Sequence, residues 1–289
     1  MTRPRIDETD FASEAQLQQW CDHIGDAGFR GTGTAAHEGI IEWVEQSLGA
    51  IPGVTIRTDE YEILRWQPTP HGRLADAGTL RVDGAPVAIA GAVPYTLPTS
   101  NIAPLVYLPA GEAIGVDNAA GRVVLRDFPH IPVPYDALLG LGFHSTADCD
   151  DLRGQIWDRP GLADGILHDD LLAAGVAGAA GVIIAFDLPR EQVVGYFEPH
   201  KGTHYRVPAL FVGFDERDRL RQHAADGSVA EITVTAEVGT APTRNVHATL
   251  PGRTSERIVL VTHTDGNTWV LQEPGASASV TIVPAPGTR

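Results

Sequence analysis

The run Ile258-Val259-Leu260-Val261-Thr262 constrains this chain more than any other stretch, because successive apolar residues leave it no polar face to turn to water. A strand of that kind belongs inside an α/β sheet covered on both faces. It leads directly into His263-Thr264-Asp265-Gly266. Ligands of open α/β sheets collect outside the carboxyl ends of the strands, so an imidazole and a carboxylate two positions apart fall where chemistry is usually done. Neutral histidine is a metal ligand, and a nearby carboxylate orients its ring and raises its basicity. A strand-end histidine followed by a turn aspartate also satisfies the pattern with no metal bound, so His-x-Asp needs support from elsewhere.

The rest of the 289-residue chain supplies context for that strand. Leu17, Trp20, Cys21 and Ile24 share one helical face behind a Ser13-x-x-Gln16 capping box, with Gly28 as the stop. Thr34 caps a second helix carrying Ile40, Ile41, Trp43, Val44 and Leu48, which Gly49 and Pro52-Gly53 end. Val54 to Ile63 alternates as a half-buried strand, and Asp83-Gly84 turns a hairpin within Arg81–Val87. Pro94, Pro98, Pro104 and Pro109 mark a crossing between units. Beyond it, strands are expected at 103–108, 122–128, 181–186, 207–212 and 230–238, with helices at about 169–177 and 214–225. The expected organisation is 1–99 as the N-terminal part of an α/β domain, 100–240 as a strand-rich α+β domain, and 241–289 as the return to the first. The residues after Trp269 show no helical period and read as a mobile, low-complexity tail, in which Val280–Val283 is the one segment with strand propensity.

Composition removes several classes of function. Thirty-seven acidic residues against 21 basic ones give a formal charge of -16, which repels phosphate backbones and anionic membranes, so neither nucleic acid nor membrane is an expected partner. Hydrophobic residues at 43% exclude global disorder. Cys21 and Cys149 are far apart and lack a C-x-x-C partner, which reads as two reduced thiols. The N-terminal residues show no signal-peptide pattern and no run suits a bilayer, giving the expectation of a soluble, cytoplasmic protein.

Three groups of residues together resemble the co-catalytic zinc aminopeptidases, the family that includes the glutamate-carboxypeptidase and transferrin-receptor-like proteins. The first is Asn245-Val-His-Ala-Thr-Leu-Pro-Gly252 followed by Ile258 to Gly266; the second is Gly28-Phe-Arg-Gly-Thr-Gly-Thr34 before a helix ending Leu48-Gly49. The third is Gly121–Arg126, Leu171–Ile184 and Val207–Val212, which are similar to the protease-associated domain often inserted in these enzymes. The resemblance implies a partial zinc-exopeptidase α/β sheet with an inserted strand-rich protease-associated domain, acting on peptides. It makes His263 the first zinc ligand and Asp265 the aspartate that orients it. For the bridging carboxylate two registers exist: Glu273 fills the position, or Pro274-Gly275-Ala276 matches the family's P-G-A and leaves Ser277 or Ala278 there. The family's remaining ligands and its general base have no counterpart. A catalytic zinc needs about three protein ligands and an open position, so a C-terminally truncated, inactive peptidase is expected. A frameshift in a GC-rich gene, suggested by Lys201 being the only lysine, would account for the loss of pattern after Trp269. The alternative is a non-catalytic module that binds peptides or partner proteins through the protease-associated domain.

Other patterns carry less. His200 and His204 have an H-x-x-x-H spacing, but Pro199, Gly202 and Pro208 make it a loop rather than a helical ligand pair. His144 with Asp148, Asp150 and Asp151 reads as an acidic loop without the glycine and glutamate of an EF-hand. Gly31-Thr-Gly-Thr does not follow a strand, which argues against a phosphate loop. Ser145, Ser255 and His247 lack a nucleophile-elbow context.

Overall fold

The structure, a computed structural model, describes residues 11–70, 72–129, 131–140, 151–157, 160, 163–199, 201–252, 254, 256–266 and 281–284. In chain order the elements begin with α1 (Glu14–Asp26), α2 (Ala35–Gly49), β1 (Thr55–Pro68), β2 (Gly78–Val82), β3 (Ala85–Val87), β4 (Gly91–Ala92) and β5 (Ser100–Leu108). Then come α3 (Val116–Ala119), β6 (Val123–Phe128), α4 (Tyr135–Leu139), α5 (Asp164–Ala177), β7 (Gly181–Phe186), α6 (Arg190–Val193) and β8 (Ala209–Val212). The last are α7 (Phe214–Ala225), β9 (Val229–Val234), β10 (Ala236–Thr249), β11 (Ile258–Val261) and β12 (Thr281–Pro284). The fold is mixed α/β. It divides into two compact units, Met1–Arg65 with Gly239–Arg289, and Trp66–Val238.

The second unit is built on one eight-stranded sheet of order β3-β2-β9-β5-β6-β7-β8-β4. β5, β6, β7 and β8 run parallel, and β9, β2, β3 and β4 pair antiparallel at the flanks. Every residue of β7 and of β8 is buried, as a central parallel strand requires. On β7, Val182, Ile184 and Phe186 pack in one cluster with Leu167, Leu171 and Ala174 of α5 and with Phe211 of β8. The intervening Ile183 and Ala185 face the other way by the period of two, and α7 crosses β5 to β8. Pro104 lies where β5 changes neighbours, pairing with Val229 of β9, while Leu105 onward pairs with β6. Its missing donor is harmless at such a junction. The Asp83-Gly84 turn joins β2 to β3 with φ of 48° and 80°, the left-handed pair that a two-residue hairpin demands.

One buried charge organises the connections of this unit. Arg126 of β6 makes a two-pronged pair with Asp170 of α5, Nε to Oδ2 at 2.8 Å and Nη2 to Oδ1 at 3.0 Å. Its Nη1 donates to the Pro109 and Glu112 carbonyls at 2.6 and 2.7 Å, tying the loop before α3 to the sheet.

In the first unit, Ser13 caps α1 by accepting from the Gln16 N–H at 3.2 Å. The Gln16 side chain donates through Nε2 to Gln19 Oε1 at 3.0 Å. α1 buries none of its residues, and Leu17 and Trp20 are exposed. Thr34 caps α2 as expected, and Ile40 and Ile41 are buried beneath it. β1 and β10 form a two-stranded ribbon. The single strand expected at 230–238 is two, β9 ending at Val234 and β10 starting at Ala236 and running through Pro242, since a strand with one neighbour has an edge that needs no N–H.

The expectation that Ile258–Val261 is buried on both faces is not met among the described residues. β11 pairs only with β12, Val259 opposite Val283 and Leu260 opposite Ile282, and its side chains are 45–83% exposed. A lone pair of strands covers neither face of an apolar strand. The strand partner is the segment around Val280–Val283 that propensity singled out in the tail.

Cutting Arg126 back to alanine leaves Asp170 and two carbonyls without their buried donor, which costs about 3–5 kcal/mol by the usual penalty for breaking a buried pair. Chemical denaturation of Arg126→Ala should show this loss in the Trp66–Val238 unit. A change below about 1 kcal/mol would mean that water replaces the guanidinium at no penalty.

Candidate functional site

His263 and Asp265 lie just past the carboxyl end of β11, and their side chains meet. The His263 Nδ1 is 3.0 Å from Asp265 Oδ1 and 2.9 Å from the Asp265 carbonyl oxygen. Both partners are acceptors only, so Nδ1 carries the ring proton and Nε2 carries the lone pair. His263 is exposed, which leaves Nε2 open to solvent.

The segment around this pair is locked to the loop between α1 and α2. Arg30 and Gly266 exchange backbone hydrogen bonds, each N–H to the other's carbonyl at 3.0 Å. A Cβ on Gly266 would come within 2.4 Å of Arg30 Nη2, so a side chain there would push the guanidinium out of its present position. The buried Arg30 guanidinium donates to the Ile24 carbonyl in the last turn of α1 at 2.7 Å and to Gly28 at 3.2 Å. Burial lowers the Arg30 pKa, and the Asp265 charge opposes that fall. The Thr32 hydroxyl donates to Asp265 Oδ2 at 3.0 Å.

A second imidazole holds Thr264. The Gly33 N–H donates to His37 Nδ1 at 3.2 Å, so in the neutral ring the proton is on Nε2, which donates to Thr264 Oγ1 at 2.9 Å. The two histidines therefore carry opposite tautomers: the buried His37 is a latch, and the exposed His263 presents a free lone pair. Burial holds the His37 pKa below its usual value, against the opposing pull of Asp265 and Glu38. Sequence reasoning identified His263 and Asp265 but missed Thr32 and His37. Their only signal was the Gly31-Thr-Gly-Thr run ahead of a helix cap, where close glycine spacing marks a chain that passes something tightly.

Zinc needs more donors than these. His263 Nε2 fits one position of a centre, while both Asp265 oxygens are engaged, and among the described residues no group of three or more metal-ligating side chains exists. The described set does not fit a zinc centre. Glu273 and the Pro274–Ala278 alternative lie outside the described residues, as do His200, His144, Asp148, Asp150, Ser145, Ser255 and Cys149. Cys21 is a free, exposed thiol. His204 sits in a loop, its ring edge-on to Tyr95 at 5.7 Å. Asp151 belongs to a short turn.

Two features of the second unit also fall short as active sites. Ser228 and Asp83 both approach His223 Nδ1, at 3.0 and 3.8 Å, whereas a relay needs them on opposite ring nitrogens. A cleft of about 400 Å³ is lined by Tyr107, Arg122 and Arg221, but Arg221 is paired with Asp127 and lies over the Tyr107 ring at 5.1 Å. No helix among the described residues is long and apolar enough to cross a membrane.

The sequence matches no family model and no curated protein. Among solved structures, the chain is similar to the aminopeptidase from Aneurinibacillus sp. strain AM-1, at 18% identity and a TM-score of 0.45, covering 81% of this chain and 49% of that one. It is similar to BSAP, a zinc aminopeptidase from Bacillus subtilis, at 15% identity and a TM-score of 0.49, covering 79% and 45%. The third is a peptidase M28 precursor from Shewanella amazonensis SB2B, at 12% identity and a TM-score of 0.44, covering 86% and 55%. The chain spans about half the length of these proteins.

The His37 latch gives a signed pH dependence. Its folded pKa is depressed, so the unfolded chain binds the proton more readily, and stability is whole above about pH 6.5 and falls as pH drops through the folded value. Thermal unfolding of wild type and His37→Gln, compared from about pH 7.5 to about pH 5, should show a steeper acid loss in the wild type. Parallel curves would mean that His37 keeps its ordinary pKa.

Proposed function

We propose that the chain belongs to the co-catalytic zinc aminopeptidase family, with 100–240 as its protease-associated domain, nearly all of it inside the unit Trp66–Val238, and with 1–99 and 241–289 as the beginning of its peptidase domain. The reading is carried by the His263–Asp265 pair past β11, with Nδ1 protonated and Nε2 turned outward, the arrangement of a metal-ligating histidine oriented by a carboxylate. The sequence resemblance points the same way: Gly121–Arg126, Leu171–Ile184 and Val207–Val212 map to the entry to β6, the α5–β7 crossover and β8. Peptides are the substrate class and zinc the metal. Among the described residues the pair offers one open nitrogen donor and no general base stands beside it, so we expect no peptide hydrolysis by the chain alone.

A second reading, a module that binds peptides or partner proteins, is favoured by one observation. The Trp66–Val238 unit has its own sheet and core, independent of any metal ligand. Peptide capture that persists in a chelator would support it.

The family reading is tested on the purified chain with aminoacyl chromogenic substrates and added zinc. Weak, substoichiometric zinc uptake that His263→Ala abolishes, with stability barely changed and no hydrolysis, is the expected result. Zinc uptake indifferent to His263→Ala would contradict the reading. Robust hydrolysis lost in that variant would overturn the inactivity and point to Glu273, His204 or a second subunit for the missing ligands.

A further inference from the structure

We infer that Thr32 is a positioning residue: its hydroxyl aims the Asp265 carboxylate, and through it fixes His263 with the proton on Nδ1 and the lone pair on Nε2. The inference deepens the family reading and rests on it only for the use to which Nε2 is put.

The case begins with how little holds the pair without help. His263 and Asp265 side chains are 67% and 46% exposed, and an ion pair or hydrogen bond that open to water is weak and leaves both side chains free to rotate. A third contact from a rigid neighbour changes that. Thr32 supplies it, because Oδ2 accepts from its hydroxyl at 3.0 Å while Oδ1 faces His263 Nδ1 at 3.0 Å, so the carboxylate is held at both oxygens.

Thr32 is itself set by pinned residues on both sides. The Gly31 carbonyl accepts from the Thr34 N–H at 3.0 Å, and a Cβ on Gly31 would lie 2.8 Å from the Phe29 ring. Gly33 has φ of 79°, and its carbonyl accepts from Arg65 Nη1 at 3.0 Å while its N–H serves His37. Thr34 accepts from the His37 N–H as the cap of α2. The hydroxyl of the residue between them therefore projects from a backbone with little freedom, which gives the Gly-Thr-Gly-Thr run a role. The Asp265 carbonyl also accepts from His263 Nδ1, but it is set by the Arg30–Gly266 exchange and does not fix the carboxylate.

Imidazole nitrogen NMR of the metal-free chain, above the pH of histidine titration, tests the inference, with the His263 signals identified by their loss in His263→Ala. The wild type should show His263 as one species protonated at Nδ1. Thr32→Val, which keeps the shape and removes the hydroxyl, should convert part of it to the Nε2-protonated form, since the Asp265 carbonyl still accepts from Nδ1; Thr32→Ser should restore the original, and Asp265→Ala should shift it in the same direction at least as far. Backbone amide spectra report whether each variant is folded, and if Thr32→Val is not, Thr32→Ala against Thr32→Ser gives the same comparison. Unchanged His263 signals in a folded variant lacking the hydroxyl would overturn the inference, whether or not Asp265→Ala shifts them. Zinc uptake plays no part in this readout. The tautomer result can therefore hold while the family reading fails at His263→Ala, and the reverse can also occur.

Discussion

The reciprocal hydrogen bonds between Arg30 and Gly266 are the constraint on which the site depends. They join two segments at opposite ends of the chain and bring the loop after α1 alongside the residues past β11. Everything else near His263 follows from that registration: Thr32 reaches Asp265, His37 reaches Thr264, and the Arg30 side chain returns to the end of α1. Gly266 is the sterically critical residue, since the guanidinium of Arg30 occupies the space a side chain would need. Closing so long a loop costs only slowly growing entropy, so a few well-placed bonds suffice once the intervening chain is folded.

The intervening chain has the means to fold. The Trp66–Val238 unit buries two all-apolar parallel strands, packs α5 and α7 against the sheet, and engages all three nitrogens of the buried Arg126 guanidinium. The first unit is leaner. α1 buries nothing and β11 is exposed along its length, so its order comes from α2, from the β1–β10 ribbon and from the polar lock around Arg30. Arg244 of β10, facing Glu38, Glu42 and Glu45 of α2 at 3.5, 3.9 and 3.7 Å, adds a surface network to that set.

Much of the fold was legible because local rules and tertiary packing agree. α7 matches the helix read at 214–225, β7 the apolar run at 181–186, and the Asp83-Gly84 hairpin its turn residues. The start of α5 was not legible: Gly165 reads as a breaker and Ala163 offers no capping side chain, yet burial of Leu167 draws the helix back to Asp164. The environment of β11 was misread because an apolar strand states what it needs for burial, not whether neighbours are present. At the site, His263 and Asp265 are neighbours in sequence and could be seen. Thr32 and His37 act across most of the chain's length, and nothing local says which distant segment a threonine hydroxyl will meet.

Native-state hydrogen exchange of the Arg30 and Gly266 amides tests the central claim most directly, because each donates to the other's carbonyl. The two amides should be protected to the same degree and lose protection together in Gly266→Ala, whose methyl group would drive into the Arg30 guanidinium. An unprotected amide at either position in the wild type, or protection at one that survives Gly266→Ala, would contradict the account.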